Sequence, residues 1–151
     1  MSLAALQNGE ILGYDLFDVK EGKVSPFIRK EGAMNWEKFG PHFFVPEALK
    51  EAKRKILHCR EDNFLIVDEV GPLEILGRGV WPALQVVLSK PSLCCLLVVR
   101  RGILEDFRNL LKAVPLKIFD IENPSACGLL RKEIQKAGRA KKRKVHARSR
   151  S

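Results

Sequence analysis

Apolar positions along the chain fall into two patterns. Short continuous runs occupy residues 64–67 and 93–99, each ending at charged residues, and 116–121 reads as a third strand. Runs of this length suit strands buried on both faces, as in a parallel sheet. Between them, apolar residues recur at helical spacing. Leu49, Ala52, Ile56 and Leu57 predict a helix from Pro46 to about Cys59. Leu84, Val87 and Leu88 predict a second from Pro82 until Pro91 closes it, and Ile103, Leu104, Phe107, Leu110 and Leu111 a third. Pro124-Ser125 precedes a last helix to about Lys136. Ahead of all these, residues 9–19 and 24–28 read as a β-hairpin around Glu21-Gly22, and 41–45 as a short strand. Residues 1–8 give no strong signal, and 76–79 read as a flexible turn. Strands alternating with helices imply a three-layer α/β fold with a parallel sheet and right-handed crossovers.

The run at 64–67 leads directly into Asp68 and Glu69, with Gly71 and Pro72 just beyond. The acids are then expected at the carboxyl end of a central strand, where open α/β sheets hold their ligands. Two carboxylates there are costly unless a cation or a catalytic task uses them. The plainer alternative is that the strand simply surfaces at this point. Arg100-Arg101-Gly102 ends the run at 93–99, on the same edge as Asp68 if the strands are parallel. Glu74 reads equally as a supporting acid or an exposed loop acid, and Trp36 and Trp81 read as core or hairpin packing.

Charge divides the chain. Of the net +9, residues 131–151 carry all: ten Lys or Arg against one acid, Glu133, while residues 1–130 hold 17 of each sign. Past Gly138 the sequence is basic and polar, which predicts a globular domain over 1–137 and a disordered tail over 138–151. Lys141-Lys-Arg-Lys144 suits nonspecific contact with nucleic-acid phosphates, nuclear import in a eukaryote, or mere solubilisation. No aromatic residue lies in the tail to stack on bases. Cys59, Cys94, Cys95 and Cys127 form no C-x-x-C pair and read as buried free thiols; His42, His58 and His146 show no ligand spacing. No apolar run approaches the roughly 20 residues that span a bilayer, and no signal-peptide core opens the chain, so a soluble cytoplasmic protein is expected.

Several stretches together resemble the THEP-type small P-loop nucleoside-triphosphatases, in that family's order over residues 9–135. They are Gly13-Tyr-Asp-Leu-Phe17, Lys38-Phe-Gly40 followed by Val45 to Leu49, Val67-Asp-Glu-Val-Gly-Pro-Leu-Glu74, residues 77–84, and Leu97-Val-Val-Arg100. The resemblance makes the Asp-Glu strand a Walker B strand. It implies Mg²⁺-dependent hydrolysis of a nucleoside triphosphate to the diphosphate and phosphate. Asp68 would be the Mg²⁺-shell ligand, Glu69 the base that positions water, and Arg100 or Arg101 the group that stabilises phosphate charge.

One departure is large. The family opens with a strand and a G-x-x-x-x-G-K-[ST] loop, the Walker A cradle for phosphates. These 151 residues contain no such motif; Gly22-Lys23 leads to Val24 instead of a hydroxyl. The expected fold therefore lacks its N-terminal βα unit, and hydrolysis by this chain alone should be weak or absent. The missing strand would leave a sheet edge unpaired. A partner or second copy covers that edge, or the sheet closes up, or the sequence is a shortened form of a longer one. The rival reading is a non-catalytic module that binds nucleic acid or protein through the basic tail.

Overall fold

A computed structural model describes residues 2–19, 21–61 and 63–148, with side chains from Leu3 through Arg139. The first third is an antiparallel sheet: β1 (Ser2–Gln7), β2 (Glu10–Asp18), β3 (Lys23–Arg29), β4 (Glu37–Phe39) and β5 (His42–Phe44), in the order β1-β2-β3-β5-β4. The hairpin expected at 9–28 is β2–β3. Its turn is closed by Asp18 Oδ1, which accepts from the Glu21 amide at 3.1 Å. Gly13 lets the two strands close on each other: a Cβ there would stand 2.0 Å from the Ile28 carbonyl oxygen. Phe27 and Phe44 meet edge to face at 5.6 Å behind this sheet.

Helix α1 (Pro46–Leu57) follows, with Pro46 in its first turn and Arg54 and Lys55 in its last, where their charge suits the helix dipole. Lys55 also pairs with Asp18, tying the helix to the hairpin. Then come β6 (Phe64–Val70), α2 (Pro72–Ile75), α3 (Trp81–Leu88), β7 (Cys94–Val99), a 3₁₀ turn (Arg101–Ile103), α4 (Leu104–Leu110) and α5 (Ala126–Arg148). β6 and β7 pair in parallel as a separate two-stranded sheet. The core lies where this sheet meets α1, α3 and α4. Val70, Leu84 and Val87 are fully excluded from solvent, and Ile56, Trp81, Phe107 and Leu111 close around them. The Trp81 and Phe107 rings make an edge-to-face contact at 5.7 Å. No helix among the described residues is long and apolar enough to cross a membrane.

The mixed α/β character agrees with the sequence reading, but the sheet content is mostly antiparallel, and the parallel part has two strands. The expected strand at 116–121 is irregular chain; Leu116, Ile118 and Ile121 stand 43%, 50% and 79% exposed. Ion pairs of Lys117 with Glu133 and of Arg101 with Asp120 hold this stretch instead of a ladder. β6 and β7 are not buried on both faces either: Ile66 is 61% and Val98 44% exposed, because their inward neighbours Leu65, Val67, Leu97 and Val99 face the one apolar core. β1 was not foreseen; its Leu-Ala-Ala-Leu centre has little strand propensity and is held by antiparallel pairing to β2. The last helix passes the expected end near Lys136 and runs to Arg148. Gly138 weakens a helix by about 1 kcal/mol relative to alanine, but no proline follows and the neighbours are helix formers. The disorder expected over 138–151 falls on backbone that is helical to Arg148, and its last three residues lie outside the described ones. The four cysteines are free as expected but not buried: Cys59, Cys94 and Cys95 are partly covered, and Cys127 is exposed.

The turn at 76–79 is held firmly. Glu74 is buried at 8% exposure, neither a loop acid nor a group free to support a ligand. Its Oε2 accepts from the Gly71 amide at 3.0 Å and its Oε1 from the Val80 amide at 3.2 Å. One carboxylate thus satisfies the amide at the start of α2 and the one just ahead of α3. Gly79, at φ +58°, approaches so closely that a Cβ would stand 2.3 Å from Glu74 Oε1. Replacing Glu74 by alanine should destabilise the fold by about 2–3 kcal/mol, since two enclosed donors lose their acceptor. Glu74→Gln, which keeps one acceptor oxygen, should cost less, and Gly79→Ala should also destabilise. Urea midpoints of the three variants check this order.

Candidate functional site

The acid pair owes its position to one irregularity in β6. From Phe64 to Val67 the pairing with β7 is regular, Phe64 opposite Cys94 and Val67 opposite Leu97. It resumes with Val70 opposite Val99, so β6 spends three steps where β7 spends two. Side chains alternate along a strand, and Leu65 and Val67 face the core. Regular alternation would send Glu69 inward next. The extra residue makes Val70 the inward one, with no exposure, and leaves both Asp68 and Glu69 exposed. The apolar interior is spared an unpaired carboxylate.

The acids therefore lie inside the last turns of the strand rather than after it. At the end of β7, Arg100 reaches across and its Nη2 pairs with Glu69 Oε1. Both side chains are largely open to water, 68% for Arg100 and 48% for Glu69. Arg101 turns the other way, to Asp120 Oδ2 at 2.7 Å and Glu122 Oε2 at 2.8 Å. The Glu122 amide first, and then the Arg101 guanidinium, hold the Asp120 carboxyl below the usual carboxylate range. Of the residues singled out in the sequence, Glu69 and Arg100 are in contact. Asp68 adjoins Glu69 in the chain and, among the described residues, has no ion-pair partner. Arg101 and Glu74 are engaged elsewhere. Trp81 is a core residue, and Trp36 is half-buried, standing beside Gly32 and Phe43.

Some contacts had no sequence signal. Arg78, in the turn after α2, pairs with Glu37 of β4 at 2.6 Å and so joins the parallel strands' turn to the antiparallel sheet. The two residues are 41 positions apart, and no local pattern links them. The partners of Arg101 in the stretch at 120–122 were hidden by reading that stretch as the end of a strand.

Mg²⁺ is commonly held through one or two carboxylates, with phosphate oxygens and waters completing its shell. Exposed, adjacent Asp68 and Glu69 supply oxygen donors of that kind. Among the described residues there is no group of three acids, histidines or cysteines that would form a closed metal cage. Phosphate donors are scarcer. The amides that open α2 and precede α3 already donate to Glu74. A groove lined by Trp81, Gln85, Leu88, Leu110, Leu111 and Val114 is mostly apolar and contains none of Asp68, Glu69, Arg100 and Arg101.

A family model described as NTPase matches residues 3–145, nearly the whole chain and more than the stretch that carried the resemblance. No curated protein and no solved structure matches it. The Asp-Glu strand, the arginine that ends the neighbouring strand and this end-to-end match agree: the chain belongs to the NTPase family, the THEP-type small P-loop nucleoside-triphosphatases.

Proposed function

We propose that the edge formed by Asp68, Glu69 and Arg100 is the hydrolytic half of a nucleoside-triphosphatase site. The observation that carries this reading is the slip in β6, which turns two adjacent carboxylates outward on a parallel strand and sets an arginine against one of them. Asp68 would hold Mg²⁺, which when bound offsets negative charge on the phosphates. Glu69, once released from Arg100, orients a water for in-line attack and accepts its proton. Arg100 neutralises charge on the phosphoryl group as it transfers. The products are the nucleoside diphosphate and phosphate.

The other half is a phosphate cradle, for which the family uses a G-x-x-x-x-G-K-[ST] loop, and these 151 residues contain no such motif. A positioned base contributes typically about 10²- to 10⁴-fold, and only to substrate already held within reach. The chain by itself should therefore release phosphate from ATP or GTP at best marginally above background. Joined to the family's first βα unit, it should hydrolyse them, and Glu69→Gln should then suppress turnover while sparing nucleotide binding. Asp68→Asn should weaken binding in Mg²⁺ more than in EDTA. Phosphate-release assays on both lengths test this. Robust hydrolysis by the short chain, abolished by Glu69→Gln, would contradict the need for a separate cradle.

A second reading rests on α5. Its backbone is helical to Arg148, and residues 131–151 concentrate the chain's entire net charge. Such a segment binds phosphate backbones without reading sequence, with affinity that falls steeply as salt rises. Removal of residues 138–151 should abolish salt-dependent binding to DNA or RNA and leave the thermal unfolding of the remainder unchanged. Undiminished binding by the shortened chain, with the same salt slope, would eliminate the tail as the contact.

A further inference from the structure

We infer that the Glu69–Arg100 pair is a latch, in which Glu69 occupies the place of the terminal phosphate of an oligophosphate ligand on Arg100. The inference rests on the hydrolytic reading of this edge and adds how its two groups are regulated. Three observations support it. First, Arg100 ends β7 with Glu69 as its acid partner among the described residues, whereas Arg101 is shared between Asp120 and Glu122. Of the two arginines, Arg100 is the one a ligand can take at the cost of a single contact. Second, the pair lies in water at 68% and 48% exposure, where an ion pair of this kind adds little stability and exchanges readily. Third, a guanidinium binds a phosphate in the same two-pronged manner as a carboxylate, and a terminal phosphate carries more charge than Glu69.

The free protein thus keeps its water-orienting carboxylate occupied. A phosphate arriving on Arg100 displaces Glu69, and the carboxylate becomes available on the side where the phosphate now lies. No bond forms or breaks in this exchange; one anion replaces another on the guanidinium.

The test is a residue-resolved NMR titration of the full chain with inorganic tripolyphosphate at low salt. It is read at the backbone amides of Val70, Arg100 and Arg101, so that binding along the basic tail is followed separately. Four chains are compared: the wild type, Glu69→Gln, Arg100→Gln and the double variant. Removal of the internal competitor should tighten binding at these amides by about two- to fivefold, the range expected for release of one exposed ion pair. Arg100→Gln should weaken binding, and in its background Glu69→Gln should change nothing. An equal tightening by Glu69→Gln with and without Arg100 would show only a general loss of negative charge and overturn the latch. So would no change or a weakening on Glu69→Gln, or no response of these amides in any of the four chains. Hydrolysis is not read out, so an inactive chain leaves the latch intact, and a failed latch leaves catalysis by a completed fold untouched.

Discussion

One extra residue in a two-stranded sheet decides which side chains of β6 face the core and which face solvent. Strand β6 must bury Leu65, Val67 and Val70 against α3 and α4, and it must also carry two carboxylates. Strict alternation cannot satisfy both demands, because every second side chain faces the core. The slip between Val67 and Val70 resolves the conflict by moving the inward register one position along. Everything at the candidate site follows from it: the exposure of Asp68 and Glu69, the reach of Arg100 to Glu69, and the fully enclosed Val70 that anchors the strand's end.

A second constraint fixes what comes next. The chain leaving β6 has to turn immediately into α2 and again into α3, and both turns expose amides that need acceptors. Glu74 supplies both oxygens from within, under the close backbone of Gly79. Other charges near this region are also answered inside the chain: Arg78 by Glu37, Arg101 by Asp120 and Glu122, Arg100 by Glu69. The edge is largely self-neutralised. Among the described residues, Arg100 at this edge is held by one acid, Glu69, whereas Arg101 is held by two.

Much of this was legible in the sequence where the signal is local. The helix after Pro46, the hairpin around Glu21-Gly22 and the apolar run ahead of Asp68 all carry their own punctuation, and each forms an element close to where it was expected. The failed strand assignments have a common cause. A stretch rich in apolar residues does not say whether a neighbouring strand exists to pair with it. Residues 116–121 have the composition of a strand and no ladder to join, while Leu-Ala-Ala-Leu in β1 has a poor composition and a ready partner in β2. The slip in β6 is likewise invisible along one strand, since register belongs to two. The Asp-Glu pair could be singled out by type and position. That both face solvent, that Glu69 meets Arg100 and that Glu74 is consumed by two amides depend on packing across long separations.

The register of β6 against β7 is the most direct point of attack. Cross-strand nuclear Overhauser contacts between backbone protons, recorded on the full chain, report it without any ligand or assay. The account requires Val67 beside Leu97 and Val70 beside Val99, with Asp68 and Glu69 both lying in the interval. Contacts that place Glu69 beside Val99, continuing the regular register from Val67, would turn Glu69 inward and contradict it.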